Sequence, residues 1–299
     1  MSTSLVTKIL RAVADLPQSF RRTPNPRIVM TLLVKNEEDM IERHLQYHKQ
    51  MGVDAFIVTD NNSTDHTPEI LARYVKKGWI VEVIEEKSSG YEQKKWVDRM
   101  AWLAKTKYHA DWIINADADE FWYAPSGNLK NELGQTDRNV LRCCLYNMLP
   151  DDARPYWQWD KRVLPIPQPN DYNLSPYSIY GRYTYKVAHR AAGYLQISMG
   201  NHKVAMFPKK QANATIYIYH FTIRGREQFL QKMINGGREL ETHKGRHGGR
   251  HWRYFYELYK QGKLEEEYDR VVGNNVYDRL VTEGYIRQDT TLADIFSKM

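Results

Sequence analysis

The sequence predicts an α/β fold, with a mixed, mainly parallel central sheet flanked by helices and a helical extension at the C-terminus. Short runs rich in β-branched and aromatic residues alternate with longer segments of helical periodicity over residues 27–122. Strands that alternate with helices are joined by right-handed crossovers, which produce a mostly parallel sheet. After residue 251, closely spaced aromatic residues followed by mixed charges indicate a further helical segment.

Composition and charge limit the kind of protein. With 299 residues, 42% of them hydrophobic, the chain can bury a substantial core in one large domain with an extension. Its 43 lysines and arginines exceed its 36 acids, and the net charge of +7 favours anionic partners such as nucleotide diphosphates, lipid head groups or nucleic acid. Solubility alone is the alternative explanation of that charge.

Cysteine usage and hydropathy indicate the compartment. The only cysteines, Cys143 and Cys144, are adjacent, and neighbours on a strand point to opposite faces, which excludes a disulfide framework. No apolar stretch approaches the ~20 residues needed to span a bilayer, and the N-terminus lacks the apolar core of a signal peptide. We therefore expect a cytoplasmic protein.

Residues 1–26 form a predicted N-terminal amphipathic extension. Apolar side chains recur at helical spacing between residues 5 and 16, with lysine and arginine among them. One interpretation is peripheral contact with an anionic membrane, at the inner face of the cell membrane. The other is a helix packed on the flank of the protein's own domain. Pro24-Asn-Pro26 closes the segment in either case.

Three predicted strands end in clusters of polar residues. Strands are predicted over residues 27–34, 55–59, 79–84 and from residue 112, with helices over residues 37–51, from 67 and over 92–105. The carboxyl ends of parallel strands share one edge of a sheet, where open α/β sheets bind ligands. The polar loops after the first, second and fourth strands therefore bring together Asp60, Asp65, Asp117 and Asp119.

The acids after the fourth strand carry the functional prediction. Asp117 and Asp119 are separated by one residue and can direct oxygens at a single hard cation, which in turn can hold a diphosphate. Loops are commonly polar, but that explanation accounts poorly for an Asp-Ala-Asp-Glu tetrad between two buried aromatic runs. The pattern therefore predicts a site for a hard cation.

Several motifs resemble one family of enzymes. Val34-Lys-Asn-Glu-Glu-Asp39, Asp60-Asn-Asn-Ser-Thr-Asp65 and Asp117-Ala-Asp-Glu-Phe121 resemble successive signatures of the family-two-like glycosyltransferases with the GT-A (Rossmann-like) fold. They are most similar to the bacterial branch whose metal motif reads Asp-x-Asp-Glu-Phe. The stretch from Tyr219 to Lys232 resembles the closing motif of that branch, a histidine followed by a helix with arginines. The likeness is dense over residues 27–122.

The resemblance implies a nucleotide-sugar donor, a divalent metal (Mn²⁺ or Mg²⁺) and a set of site residues. The implied metal ligands are Asp117, Asp119 and His220. Arg224, Arg226 and Lys232 would share the charge of the diphosphate, unless they only form a solvated helix face. The implied donor-binding residues are Lys35, Asn36, Glu37, Asp60, Asn62, Asp65, Asp117, Arg224 and Lys232.

The same resemblance divides the chain into three parts. Residues 1–26 are the extension, residues 27–240 the GT-A domain and residues 241–299 a C-terminal basic loop with a helical extension. Within the GT-A domain, residues 27–122 form the nucleotide-sugar half and residues 123–240 the acceptor half.

The catalytic base departs from the family pattern. Inverting transfer needs a general base near the acceptor hydroxyl, and relatives supply a late carboxylate. No acidic residue lies between Asp171 and Glu227. His202 is one substitute, since histidine exchanges protons near neutral pH. Asp151 and Asp152, just past a predicted strand over residues 140–149, are the other.

Two further segments leave alternatives open. Residues 155–185 are dense in proline, tyrosine and tryptophan, which suits either an acceptor-binding surface or an irregular aromatic-packed insertion. His243, His247 and His251 recur every four residues and suggest zinc on a helix. Three glycines lie between residues 245 and 249, so a basic loop that closes over the diphosphate is favoured instead.

The sequence therefore predicts a metal-dependent glycosyltransferase. It would be a hexosyltransferase that moves a sugar, with inversion, from a UDP-hexose to a glycolipid or a cell-surface polysaccharide such as lipopolysaccharide or capsule. A metal-dependent nucleotidyltransferase or phosphodiesterase is one alternative, but no phosphate-cradling Gly-x-x-x-x-Gly-Lys loop is present. A non-catalytic nucleic-acid-binding module is the other, and it leaves the acidic tetrad unexplained, so no nucleic acid is expected.

Overall fold

The computed structural model describes residues 5–87, 92–242 and 249–299. These residues form two compact units. The first unit comprises Met1–Leu145 and Thr184–Tyr219, and the second comprises Tyr146–Tyr183 and His220–Met299. The domain boundaries predicted after residues 26, 122 and 240 remain predictions.

Strands and helices alternate in the first half of the chain, as the hydrophobic pattern predicts. The strands are β1 (Ile28–Val34), β2 (Ala55–Asp60), β3 (Ile80–Glu85), β4 (Trp112–Ala116), β5 (Glu120–Tyr123), β6 (Val140–Asn147), β7 (Lys161–Val163), β8 (Thr184–Arg190), β9 (Tyr194–Ile197), β10 (Val204–Met206), β11 (Gln211–His220) and β12 (Ile286–Gln288). The α-helices are α1 (Leu5–Ala14), α2 (Ile41–Gln50), α3 (Thr67–Lys76), α4 (Gln93–Thr106), α5 (Leu129–Gln135), α6 (Arg226–Thr242), α7 (Arg250–Lys260), α8 (Leu264–Val272), α9 (Tyr277–Thr282) and α10 (Thr291–Phe296).

The central sheet has the strand order β3, β2, β1, β4, β8, β6, β11, β5. Strands β3, β2, β1 and β4 are parallel, whereas β8 runs antiparallel to both β4 and β6. Strands β1, β2 and β4 are buried along nearly their whole length, as expected for parallel strands that are covered on both faces. The predicted mixed, mainly parallel sheet flanked by helices is confirmed.

Helix α4 covers one face of the parallel strands. Its buried Val97 and Met100 join Val29, Ile57 and Ile113 in one hydrophobic cluster. Full burial of side chains of this size stabilises the fold by roughly 1.5–3 kcal/mol each relative to exposure. The packing of α4 therefore stabilises the arrangement of β1, β2 and β4, whose carboxyl ends lead into the polar loops.

The strand register brings the polar loops to one edge of the sheet. Val34 lies opposite Asp60 in the ladder between β1 and β2, and Leu32 lies opposite Ala116 in the ladder between β1 and β4. The loops after these three strands therefore begin at nearly the same level, at the carboxyl ends, as the sequence predicts.

The helix after β1 begins later than the sequence pattern predicts. Helix α2 starts at Ile41, so Glu37 and Glu38 precede it instead of forming its first turn. The backbone N–H of Glu37 donates to Thr67 Oγ1 at 2.8 Å, and that of Glu38 donates to Asp65 Oδ2 at 3.1 Å. These side-chain acceptors on the neighbouring loop compete with the helical conformation for the two amides.

The second unit contains the predicted C-terminal helical extension. Helices α6 to α10 lie in this unit, and β7 pairs with β12 in an antiparallel ribbon. The Tyr180 hydroxyl donates to the carbonyl of Val272 at 3.0 Å, and Tyr172 contacts the ring of Tyr285 at 5.7 Å. The chain between β6 and β8 and the C-terminal helices therefore share one core.

The aromatic residues of segment 155–185 divide between this core and the surface. Four are buried, which fits an aromatic-packed insertion: Tyr156, Trp159, Tyr172 and Tyr180. Three are more than a third exposed and could stack on a sugar: Trp157, Tyr177 and Tyr183.

In the described parts of the chain, no helix combines the length and the apolar character that crossing a bilayer requires.

Candidate active site

Hydrogen bonds tie the loop after β1 to the loop after β2. The backbone N–H of Asn36 donates to Ser63 Oγ at 3.0 Å, and Thr64 N–H donates to Asn36 Oδ1 at 2.8 Å. Asn36 has a φ of 55°, in the left-handed region that asparagine tolerates better than most residues. The two loops that were predicted to gather at one edge are thus joined there.

Asp65 and Glu38 brace the same pair of loops reciprocally. Asp65 Oδ2 accepts from the Glu38 N–H, Asp65 Oδ1 accepts from the Thr67 N–H at 2.9 Å, and Glu38 Oε2 accepts from the His66 N–H at 2.8 Å. Partial burial acts to raise the pKa of Asp65, but the hydrogen bonds from Thr67 and Glu38 outweigh it and lower that pKa. Asp65 is therefore an anion whose oxygens hold backbone in place.

Asp60 begins the turn after β2. Its buried Oδ1 accepts hydrogen bonds from Ser63 N–H at 3.1 Å and Ser63 Oγ at 2.5 Å. Asn62, within this turn, is exposed and has a φ of 54°. Lys35, the first residue after β1, is also exposed. The roles of these residues in donor binding remain predictions.

A buried lysine organises the acidic loop after β4. Lys186 of β8 lies with its Nζ 2.6 Å from Asp117 Oδ2 and also forms an ion pair with Glu120. Glu120 Oε2 accepts from the Asp117 N–H at 3.2 Å. Burial acts to lower the pKa of Lys186, but the carboxylates of Glu120 and Asp117 outweigh it and raise that pKa, so the ammonium stays charged.

The charges of this loop suit a divalent cation. Asp117, Asp119 and Glu120 place three carboxylates in one short loop, and Lys186 brings one ammonium to Asp117 and Glu120. Glu120 is only 1% exposed, whereas Asp117 and Asp119 are partly exposed to solvent. Carboxylate oxygens are the ligands that Mn²⁺ and Mg²⁺ prefer. The donor set of the loop therefore fits the implied metal.

Two histidines of α2 form hydrogen bonds with the backbone on either side of Asp119 and Glu120. His44 Nδ1 lies 3.0 Å from the carbonyl oxygen of Ala118, and the Trp122 N–H donates to His48 Nε2 at 3.0 Å. The imidazole rings lie 4.1 Å apart between their centroids. A carbonyl only accepts and an N–H only donates, so His44 carries its proton on Nδ1 and His48 accepts on Nε2.

Burial keeps this histidine pair neutral. Both side chains are fully buried. Desolvation lowers the pKa of His44 to about 4, and desolvation together with the nearby His44 holds the pKa of His48 well below its ordinary value. The two residues were not singled out from the sequence, although their spacing of four along a helix places them on one face.

Asn201 and His202 approach the same end of the sheet. Asn201 is buried and donates from Nδ2 to the carbonyl of Asn115 at 2.5 Å and to that of Val187 at 3.2 Å. His202 is exposed, and its Nδ1 lies 2.9 Å from the carbonyl of Tyr185, the residue before Lys186. Of the candidate bases, His202 is thus the one on the first unit, beside the lysine that binds the acidic loop.

The family model of glycosyltransferase family 92 matches residues 30–257, more than half of the chain. The chain belongs to glycosyltransferase family 92. This membership and the central sheet confirm the prediction of a glycosyltransferase with a GT-A fold. The narrower likeness to the family-two-like bacterial branch remains a prediction.

Solved structures with related folds share little sequence with the family 92 chain. TarS 1–349 of S. aureus in complex with UDP is 14% identical and covers 82% of this chain and 71% of its own, with a TM-score of 0.38. The mannosyltransferase PcManGT from Pyrobaculum calidifontis, in complex with GDP-Man and Mn²⁺, is 13% identical over 97% of this chain and 86% of its own, with a TM-score of 0.37. No curated protein matches the chain in sequence.

The other predicted site residues of the family 92 chain lie in the second unit. His220 ends β11, and its Nδ1 lies 2.9 Å from Asn147 Oδ1, which orients the imidazole. Asp151 binds Arg154 Nε at 2.7 Å, and Asp152 Oδ1 accepts from the N–H of Arg226 at 3.0 Å. Their assignments as metal ligand and alternative bases remain predictions.

The basic residues of the closing motif differ in their surroundings. Arg226 binds Asp269 Oδ1 at 2.6 Å and lies over the ring of Tyr268 at 4.4 Å, so its guanidinium is engaged inside the second unit of the family 92 chain. Arg224 is partly exposed, and Lys232 is exposed on α6. His243, His247 and the predicted basic loop around them lie outside the described residues.

Proposed function

We propose that this family 92 glycosyltransferase moves a hexose from a nucleotide sugar, a UDP-hexose, to a cell-surface polysaccharide or glycolipid, with inversion. The acidic loop after β4 supports this proposal most strongly. It presents the carboxylates of Asp117, Asp119 and Glu120 at the carboxyl ends of parallel strands, where open sheets bind ligands. The loops after β1 and β2, tied together by Asn36 and Asp65, begin at the same edge.

The chemistry of the reaction explains why such a loop is needed. A nucleoside diphosphate gains negative charge as the bond to the sugar breaks, and a divalent cation held by Asp117 and Asp119 would stabilise that charge. By the resemblance, His220 would be a further metal ligand, and Arg224 and Lys232 would bind the diphosphate. Lys186 forms ion pairs with Asp117 and Glu120 and so holds both carboxylates in this loop.

His202 is our proposed base for the acceptor hydroxyl. A carbonyl oxygen only accepts hydrogen bonds, so the contact with Tyr185 places the imidazole proton on Nδ1. Nε2 then keeps its lone pair, as removal of a proton from a hydroxyl requires. Asp151 and Asp152 are the alternatives, but Asp151 is already paired with Arg154.

Hydrolysis of the donor tests the reaction without knowledge of the acceptor. UDP- and GDP-hexoses are incubated with the protein and Mn²⁺, and release of the nucleoside diphosphate is measured. We expect release from a UDP-hexose and a loss of at least about 100-fold in Asp119→Ala, because a charge-stabilising group is removed. The matched control is Asp137→Ala, which removes a carboxylate that is 48% exposed and pairs with the neighbouring Arg138. Full activity of a folded Asp119→Ala protein contradicts the metal assignment.

Binding of UDP provides a readout that is independent of turnover. Calorimetric titration is carried out with Mn²⁺ and with a chelator, on the wild type and on Asp119→Ala. We expect tight binding only for the wild type with Mn²⁺, since a cation must lie between the diphosphate and the acids. If the wild type binds UDP with equal affinity in Mn²⁺ and in the chelator, donor binding does not require a metal. Sugar transfer would then still have to be tested by donor hydrolysis.

A further inference from the structure

Helix α1 turns its apolar face away from the protein. Val6 and Leu10 are 67% and 66% exposed, and Val13 is 46% exposed. Ile9 and Leu16 are also more than 40% exposed. At 100° per residue Val6, Ile9, Leu10 and Val13 occupy one stripe along the helix, and Leu16 follows two residues after its end. The stripe would normally be the side of a surface helix that packs on the core.

The opposite, more polar face of α1 holds the helix on the first unit. Lys8 is buried and binds Asp98 at 2.7 Å, and its ammonium lies 5.0 Å from the centre of the Trp102 ring. Ala12, on the same face, is fully buried. Just beyond the helix, Asp15 binds Lys105 at 2.5 Å. The helix is therefore fixed by partly buried ion pairs, while its apolar stripe stays in contact with solvent.

Further apolar and basic side chains lie around the end of α1. Asp15 accepts from the N–H of Gly193 at 3.1 Å, and the carbonyl of Gly193 accepts from the N–H of Phe207, whose side chain is 47% exposed. Lys210 lies over the ring of Phe20 at 4.6 Å. Arg11, Arg21 and Arg22 are exposed beside or soon after the helix.

We propose that this face of α1 binds an anionic lipid surface. An apolar stripe with basic residues at its margins is the composition of helices that lie in the membrane interface, where lipid tails cover the stripe and anionic head groups meet the cations. A second copy of the chain fits less well, because it would bring Arg11, Arg21 and Arg22 against the same basic residues. Nucleic acid would leave the apolar stripe exposed to water.

Vesicle sedimentation tests the proposal. The protein is mixed with vesicles of phosphatidylcholine, or of equal parts phosphatidylcholine and phosphatidylglycerol. We expect binding to the anionic vesicles that weakens as salt increases, and little binding to the neutral ones. Removal of one arginine is expected to weaken binding roughly fivefold, so Arg21→Gln with Arg22→Gln should weaken it about 30-fold.

The apolar stripe has a matched control elsewhere on the first unit. Val6→Gln with Leu10→Gln should weaken vesicle binding at least about tenfold, because two side chains lose their burial in the lipid. Val75→Gln on α3 changes an equally apolar side chain that is 44% exposed outside this face, and it should bind like the wild type. Because all these side chains are exposed, circular dichroism and thermal unfolding of the variants should match those of the wild type.

Three outcomes overturn the proposal. They are absence of vesicle binding, equal binding to neutral and anionic vesicles, and equal loss in Val75→Gln. A dimer in light scattering that Leu10→Gln converts to a monomer, without vesicle binding, would assign the face to a second copy. Donor hydrolysis should be unchanged in the α1 variants, so failure of the lipid proposal and failure of the proposed reaction are distinguishable.

Discussion

At the scale of single residues, Lys186 has two partners in very different surroundings. Asp117 is 41% exposed and can be hydrated without the lysine, whereas Glu120 is 1% exposed and cannot. A buried carboxylate that loses its partner charge is strongly destabilising, whereas an exposed one loses little. The structural importance of Lys186 therefore lies mainly in its contact with Glu120.

Replacement of Lys186 should therefore cost stability. We expect Lys186→Met to lower the free energy of unfolding by about 3–5 kcal/mol, because it takes the ammonium away from a Glu120 carboxylate that stays buried. Urea unfolding measures the change. The control is Lys186→Met combined with Glu120→Gln, which removes the charge as well and should recover much of the loss. Equal stability of Lys186→Met and the wild type would show that Glu120 does not depend on this lysine.

His202 gives a second prediction at the residue scale. His202→Gln keeps a polar side chain but cannot take up the acceptor proton, so the rate of sugar transfer should fall by about 10²–10⁴-fold. The KM for the donor should stay near that of the wild type, because the proposed role begins at the acceptor hydroxyl. Transfer kinetics over a pH series measure both effects. If only an Asp151→Asn or Asp152→Asn variant loses its rate, the base belongs to the second unit.

At the scale of elements, the contact of α2 with the chain around β5 sets the position of the acidic loop. His44 and His48 act in opposite senses, one towards a carbonyl and the other towards an N–H. Because the two backbone groups lie on either side of Asp119 and Glu120, the helix fixes both ends of the segment that carries these acids. The position of the acidic loop thus depends on α2, a helix in which the sequence predicted no site residue.

Substitution at His48 separates the hydrogen bond from the volume of the side chain. His48→Leu leaves the Trp122 N–H buried without its acceptor and should lower the free energy of unfolding by about 1–3 kcal/mol. His48→Gln can place an oxygen near the position of Nε2 and should retain most of that stability. Chemical denaturation and calorimetric titration of Mn²⁺ measure the two effects, and both stability and metal affinity should rank Gln above Leu. A reversed order would contradict this role of the His48 hydrogen bond.

The comparison of sequence and structure is also clearest for particular elements. The apolar run of β4 and the acids after it were predictable, because a short β-branched run that stops at charged residues is a local pattern. The partners of those acids were not predictable. Lys186 lies 69 residues beyond Asp117, and His48 lies 74 residues before Trp122, so only the strand and helix packing brings them together. Hydrophobic periodicity describes neighbouring residues only, so it does not predict contacts between residues so far apart in the chain.

Helix α1 shows a different limit of sequence reasoning. Its helical periodicity was predictable, but the periodicity of an amphipathic helix does not say which face meets the protein. Partly buried ion pairs of Lys8 and Asp15 with residues of α4 reverse the usual orientation. Helix α1 does pack on the flank of the first unit, but it does so through its polar face. Its apolar face stays exposed and can bind a partner.

At the scale of the whole molecule, buried neutral histidines link folding to pH. His189 is fully buried, its ring stacks on Tyr194 with 4.9 Å between centroids, and its Nδ1 lies 2.9 Å from the carbonyl of Arg190. Burial lowers the pKa of His189 to about 4, with a smaller contribution from Lys105, against the weaker opposing effects of the hydrogen bond to Arg190 and of Asp98. His44 is shifted in the same direction by burial.

These shifts predict a loss of stability in mild acid. An unfolded histidine takes up a proton near its ordinary pKa of 6.5, whereas folded His189 does so only near pH 4. Between these values the unfolded chain binds more protons, so the free energy of unfolding falls as the pH falls, by up to about 1.4 kcal/mol per pH unit for each such histidine. His189→Phe retains a ring on Tyr194 but cannot be protonated, so this slope should become shallower by about that amount, whatever the stability at neutral pH. Urea unfolding at a series of pH values between 4.5 and 7, a range inside the window set by the two pKa values, measures the slope. An unchanged slope in His189→Phe would mean that His189 is protonated as readily in the folded protein as in the unfolded chain.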